Sequence, residues 1–178
     1  MTTGHVFMAM SLDGFVARPD HAIDWLMKQP EDDGDGGFFD FFASVDGMVM
    51  GSGTFRTVLG FDEWVYGDKP IRVMSHALTR EDIPEARRSS VEVTRQDPQA
   101  LMEMVEIEGW TRAYVDGGAL VHSFLRAGLI ADMTITIIPI LLGQGRSLFG
   151  PLERDIDLKL EHAEKTKAGF LTTRYRVL

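Results

Sequence analysis

No cysteine occurs anywhere in the 178 residues, so disulfides, thiolate nucleophiles, iron–sulfur clusters and cysteine-based zinc sites are excluded together. Cations are also scarce, with 18 Lys and Arg against 27 Asp and Glu and a formal net charge of -9. Nucleic acids and anionic membranes need clustered positive charge to displace counterions, and the dense basic spots are only Arg87-Arg88 and the pair Arg174 and Arg176. Neither partner is expected. No apolar run approaches the roughly 20 residues that span a bilayer. The opening GHVFMAMSLDG lacks the charged and small-residue flanks of a signal peptide, so the default compartment is the cytoplasm. The five histidines show no HxxH or HExxH spacing, which leaves a metal site without support.

What remains is an ordinary globular composition, 44% hydrophobic and 25% charged. The length fits one domain, residues 1–178, with a single well-buried core. Val6 to Met10, Gly47 to Met50, Ile71 to Met74, Val91 to Thr94, Ala113 to Val115 and Met133 to Ile138 read as short strands. Between them, FFDFFAS, the stretch after GSGTF, Pro98 to Glu108 and the stretch after DGG read as helices. Two final segments, Asp157 to Ala163 and Gly169 to Leu178, alternate with period 2 as half-exposed antiparallel strands do. Strand and helix alternate first and strands dominate last. That order predicts an α/β fold with a mixed central sheet, mainly parallel, antiparallel C-terminal strands, and helices on both faces. Residues 17 to 37 read as a long loop with at most one helical turn, and loops of that length tend to be functional. Its acidic run EDDGDGG partly matches a calcium loop. The twelfth position counted from Glu31 is Phe42, where a bidentate Glu is required, so the run is read as solvated.

Two glycine turns join a strand to a helix: GMVM runs into GSGTFRT, and AYVD into GGALVHSFL. Free N–H groups and the positive end of the helix dipole face outward at such a junction, and glycine lets an anion approach the backbone. Either turn alone is more often a plain steric solution than a phosphate site. Two in one open sheet suggest one ligand with two phosphates, or one extended ligand crossing the strand ends. The GxGxxG fingerprint is absent from both, which disfavours a dinucleotide-binding Rossmann domain.

The pieces FMAMSLDGFVA, GMVMGSGTF, RVMS, YVDGGALVHSFL and GLIADMTITIIPILLGQGRSLF, in this order and spacing, resemble the C-terminal reductase domain of bacterial riboflavin biosynthesis, RibD, within the dihydrofolate reductase-like superfamily. The resemblance implies a dihydrofolate reductase-like fold and hydride transfer from NADPH to a small heterocycle (a pterin, pyrimidine or similar) or a carbonyl. It further implies that Met50, Gly51, Ser52, Gly53 and Thr54 lie against the cofactor phosphates. Ser75 would stand on the adenosine side. Gly117 and Gly118 would approach the pyrophosphate through a cis peptide, with Ala119 and Leu120 opening the helix behind. Ala9, Met10 and the turn through Gly14 would face the nicotinamide. Ser52 and His76 stand where many relatives have Arg, so NADH remains open beside NADPH, with Arg56 and Arg80 as compensating cations.

The proton donor is left among Asp24, Asp35 and Asp40, at most one of them, because a carboxylate before the second strand is where the superfamily places it. Trp25, Phe39, Trp64 and Tyr66 are candidates to stack on a flat substrate, against the plainer reading that they pack. A homodimer is expected through an apolar face of Leu158, Leu160, Tyr175 and Val177. A different class is also compatible with these residues: a nucleotide- or ligand-binding protein that has kept the cradle without catalysis.

Overall fold

A computed structural model describes residues 1–29 and 34–178; the first half of the acidic run considered for calcium lies outside the described residues. Ten strands and five helices follow in chain order: β1 (Thr3–Ser11), β2 (Phe15–Ala17), α1 (Asp24–Met27), α2 (Phe38–Ala43), β3 (Gly47–Gly51), α3 (Ser52–Leu59), β4 (Ile71–Met74), β5 (Val91–Thr94), α4 (Pro98–Ile107), β6 (Arg112–Asp116), α5 (Gly118–Arg126), β7 (Ile130–Ile138), β8 (Arg146–Ser147), β9 (Leu158–Lys165) and β10 (Leu171–Val177). Eight strands form one sheet in the order β5-β4-β3-β6-β1-β7-β10-β9, and β2 pairs with β8 in a separate ribbon. Every pair from β5 through β7 is parallel. β10 and β9 are antiparallel. The expected mixed α/β sheet is therefore present, with helices on both faces.

Strand alternation explains the two layers. In β3, Met48 and Met50 turn to one face and join Phe55 and Val58 of α3, Phe42 of α2, and Ile71 and Val73 of β4. Val49 turns to the other and joins Leu101 and Val105 of α4, with Val121, Phe124 and Leu125 of α5. A central parallel strand covered on both sides needs apolar residues at every position, and GMVM supplies them. In β6 the same rule sends Ala113 and Val115 to the α4/α5 layer and Tyr114 to the α2/α3 layer. Asp116, two residues after Tyr114, shares its face.

Gly47 shows how tightly the layers meet, because a Cβ there would overlap the Trp110 indole. Trp110 is itself stacked beside the Arg72 guanidinium, 5.6 Å from the ring centroid, and is only 6% exposed. Neither neighbour has room to yield. Replacing Gly47 by Ala should cost about 1–3 kcal/mol, the usual range for overpacking a filled core. Urea unfolding followed by tryptophan fluorescence would measure it, and an unchanged midpoint would show that the indole can move aside.

Candidate active site

Parallel strands deliver their C-terminal ends to one edge of the sheet, and there β1, β3, β4 and β6 open into a cleft of about 540 Å³. Phe7, Met8 and Ala9 come from β1, Gly51 to Thr54 from the β3–α3 junction, Met74 from β4, and Tyr114, Asp116, Gly117, Ala119 and Leu120 from the β6–α5 junction. His21, Ile23, Phe61 and Tyr66 reach it from loops, Leu26 from α1 and Arg146 from β8. Among the described residues that line the cleft, Asp116 is the lone carboxylate.

The two glycine turns meet here. Helix α3 starts after Gly51 and α5 after Gly117, and neither N-terminus has a side-chain cap. Helix α4, away from the cleft, is capped by Asp97, whose carboxylate accepts from Ala100 N–H at 2.9 Å, and it carries Pro98 in its first turn. A helix start ordinarily satisfies its free N–H groups with such a cap. At the β3–α3 and β6–α5 junctions those N–H groups have no side-chain partner. Both carry the positive end of a dipole, so an anion suits them. The cradle is also open: a Cβ on Gly51 would meet nothing nearer than Leu120 Cγ at 3.8 Å.

The glycine pair is built differently from expectation. No cis peptide occurs among the described residues, so Gly117–Gly118 is trans. The reversal of direction is made instead by Gly117, whose φ of 104 is open only to glycine. A Cβ at Gly117 would stand 2.8 Å from Thr54 Oγ1, which brings one turn against the other. At Gly118 a Cβ would overlap the Ser147 carbonyl oxygen. The second glycine therefore makes room for β8, and only the first opens on the cleft.

Of the candidates, Ala9, Gly51, Ser52, Gly53, Thr54, Gly117, Ala119, Leu120 and Tyr66 line the cleft. Other candidates do not reach its lining. Met50 is wholly buried beneath α3, and Met10 packs against the opposite layer. Gly14 closes the turn after β1 at φ 86 and accepts from Leu148 N–H at 2.9 Å. The Ser75 hydroxyl accepts from Ala77 and Leu78 N–H at 3.2 and 3.0 Å, which commits it to its own turn.

None of the three aspartates proposed as donors lines the cleft. Asp24 forms a two-pronged pair with Arg18 at 2.5 and 2.9 Å, and that pairing holds its carboxyl below the ordinary range. Asp35 accepts from Phe39 and Gly37 N–H at the start of α2, again lowering its pKa. Asp40 is exposed on α2. Trp25 is fully buried, Phe39 is 58% exposed outside the cleft, and Trp64 packs edge-on to Tyr66 beneath Arg87. Each fills a structural place that alternation and loop position alone could not separate from a binding one.

Asp116 is the carboxylate that the sequence reading passed over. Burial pushes its pKa up to about 6, against the opposing pull of the Gly117 N–H and of the Tyr114 hydroxyl when that turns toward it. In the structure the Tyr114 O–H donates to the Phe7 carbonyl oxygen at 2.9 Å. The phenol then shows the carboxyl only lone pairs, an arrangement that favours the protonated acid. Asp116 in turn raises the pKa of both Tyr66 and Tyr114, whose phenols are already held neutral by burial. A signal existed in the sequence: an acid ending a strand that is apolar at Ala113, Tyr114 and Val115, immediately before the glycine pair.

Among the described residues no group of His, Asp and Glu is placed to hold a metal ion, and no helix is long and apolar enough to cross a membrane.

An open, mainly parallel sheet with a two-turn cleft at its strand ends makes this an α/β domain whose cleft lies where such folds bind ligands. The chain belongs to the RibD C-terminal domain family, which it matches over residues 2–172. It is 31% identical over 159 residues to the uncharacterized protein YwjB of Bacillus subtilis strain 168, covering 88% of this chain and 87% of that one. Among solved structures, a Shewanella sp. PV-4 protein named for riboflavin biosynthesis superposes with a TM-score of 0.91 at 34% identity over 99% of both chains. RibD of Acinetobacter baumannii gives 0.74 at 17% identity, covering 100% of this chain and 58% of that one. A pyrimidine reductase-like protein of Corynebacterium diphtheriae gives 0.70 at 15%, over 99% and 92%.

Because Asp116 keeps its proton to higher pH in the folded state than the ordinary 3.8, its contribution to stability is complete below about pH 4 and is lost as pH rises through about 6. The cost of ionising it in place is on the order of 2 kcal/mol, reduced from the full two-unit conversion because the carboxyl is partly open to the cleft. Asp116→Asn should therefore gain stability relative to the parent between pH 4 and 7. Paired urea titrations across that range would show it, and parallel curves would mean that Asp116 is not strained by burial.

Proposed function

We propose that this protein is an NADPH-dependent reductase of a small flat heterocycle, a pterin, pyrimidine or similar, or of a carbonyl compound. The observation that carries the reading is the pair of uncapped helix starts set side by side, Gly117 against Thr54, in a cleft that holds a single, proton-retaining carboxylate. Membership of the RibD C-terminal domain family supports the reductase class.

In this reading the turn Gly51–Thr54 and the start of α5 at Gly117 to Ala119 receive the cofactor's diphosphate through backbone N–H groups. NADPH, or NADH in its place, supplies the hydride when bound. The protein aligns the two rings, excludes water and delivers a proton. Asp116 is the proton source for the nitrogen or oxygen of the reduced double bond, since a carboxyl near pKa 6 holds a usable protonated fraction at neutral pH. Tyr114, held by Phe7, orients it. Phe7, Ile23, Leu26, Phe61 and Tyr66 make the remaining wall apolar and aromatic, which suits a flat uncharged ring. The two cation-capable residues lining the cleft, His21 and Arg146, both stand at its glycine-turn end: His21 lies against Gly53, and Arg146 precedes the Ser147 that touches Gly118. A phosphorylated substrate tail beyond the nicotinamide would lack a counter-charge. The likeness to a protein named pyrimidine reductase-like makes unphosphorylated pyrimidines the first compounds to try.

NADPH oxidation should be followed by absorbance against a panel of pyrimidines, pterins, flavins and quinones. The expected result is turnover with at least one, a rate that falls as pH rises through about 6, and a loss of about 100-fold in kcat for Asp116→Asn with cofactor affinity retained. Saturable binding without turnover across the panel would instead favour a non-catalytic ligand-binding protein on the same fold. No binding of either dinucleotide at millimolar concentration would defeat the cofactor reading.

We also propose a homodimer through the C-terminal strands. Leu158 and Leu160 of the edge strand β9 stand opposite Val177 and Tyr175 of β10. The two leucines are 42% and 54% exposed, on a strand exposed along its whole length. Such an edge invites pairing or cover. Sedimentation at micromolar concentration should give a dimer, and Leu160→Lys should return it to a monomer. A monomeric parent would remove the proposal.

A further inference from the structure

Among the described residues, His21 is the one non-glycine residue with a left-handed backbone, at φ 72. It sits in a tight turn of the loop between β2 and α1, where Arg18 N–H donates to the Ala22 carbonyl and His21 N–H to the Arg18 carbonyl, both at 2.9 Å. The turn is anchored from outside by Arg146 Nε, which donates to the Pro19 carbonyl at 3.1 Å, and by the Arg18–Asp24 pair. This scaffolding holds the imidazole over the start of α3. A Cβ built on Gly53 would lie 2.8 Å from His21 Cε1 and 2.9 Å from Nδ1, so Gly53 is the residue that lets the ring in. The ring is solvent-exposed and lines the cleft. Among the described residues it makes no hydrogen bond or ion pair.

We propose that His21 is a direct ligand of the cofactor's diphosphate, supplied from the β2–α1 loop to a cradle whose own turn, Gly51-Ser52-Gly53-Thr54, contains no cation. The inference rests on the dinucleotide reading given above and adds a side chain to it. Three features of the ring's position point to phosphate. It has a free N–H donor, it faces the uncapped start of α3, and it lies against Gly53, the residue before Thr54, whose hydroxyl borders Gly117 at the start of α5. A donor there lies between two dipole ends that favour the same negative charge. The diphosphate is common to NADPH and NADH, so His21 contributes affinity without choosing between them. Because the turn is already closed, the ring is ordered before the ligand arrives and little freedom is lost on binding.

Glycine is the informative replacement, since it removes the ring while relaxing the left-handed backbone. Fluorescence titration of the full-length protein with NADPH and with NADH, beside thermal melts, is the experiment. His21→Gly should keep or raise the melting temperature and weaken both dinucleotides by the same factor, about tenfold, as expected for one charge-assisted hydrogen bond. His21→Gln, which keeps an N–H donor, should recover part of that loss. Parent-like affinity in His21→Gly, with or without a lower melting temperature, would assign the ring to packing and overturn the proposal. Weakening confined to NADPH would also overturn it, by placing the ring on the 2′-phosphate. A parent protein that binds neither dinucleotide would instead sink the cofactor reading itself, so the two failures are told apart by the parent's own titration.

Discussion

The cleft depends on one close approach, that of Gly118 to the backbone of Ser147, where any side chain at 118 would overlap the Ser147 carbonyl oxygen. That contact seats the short β2–β8 ribbon against the start of α5. From it follow the hydrogen bond between Leu148 N–H and the Gly14 carbonyl and the reach of Arg146 to Pro19. Asp13 completes the clamp, accepting from Gly143 N–H at 2.7 Å and from the Ser11 hydroxyl at 2.6 Å, so the turns after β1 and β7 are tied together. Without room at Gly118 the ribbon would lift, and the loop that carries His21 would lose its outer anchor.

A second constraint is electrostatic. The chain carries a net charge of -9, yet the cleft gathers two uncapped helix starts and two cation-capable side chains. The one acid placed there is Asp116, and its surroundings raise its pKa to about 6 rather than stabilise its charge. Burial, which destabilises the ionised carboxylate, is what lets the acid keep its proton up to about pH 6. The same desolvation is a liability for the fold at this residue.

Much of the framework was legible from periodicity. β4 and β5 coincide with the residues that apolar runs marked, and β3, β6, α4 and α5 differ by one or two at their ends. Buried parallel strands and amphipathic helices announce themselves locally, since each residue's face is set by its neighbours in sequence. The β2–β8 ribbon was not legible. It pairs Phe15 with Ser147 across the length of the chain, and its strands of three and two residues are too short to show a period. The glycine turns were found, but the cis peptide assigned by resemblance was not. Gly117 turns the chain through its φ instead.

The side chains of the site divide along the same line. Backbone-borne positions such as Gly51 to Thr54 could be placed from the strand-to-helix junction, because a helix start has a fixed relation to the strand before it. Aromatic and acidic candidates in loops could not, since the destination of Trp25, Asp24 or Phe39 depends on tertiary contacts that sequence spacing does not encode. Asp24 is the instructive case. It is near the cleft in sequence terms and bound to Arg18 in space, and that pairing shapes the turn that presents His21. A residue considered for chemistry thus acts through structure, while the residue three positions before it carries the exposed ring. Loops contribute to such a site in pairs of this kind, one side chain spent on holding the backbone so that its neighbour can face the ligand.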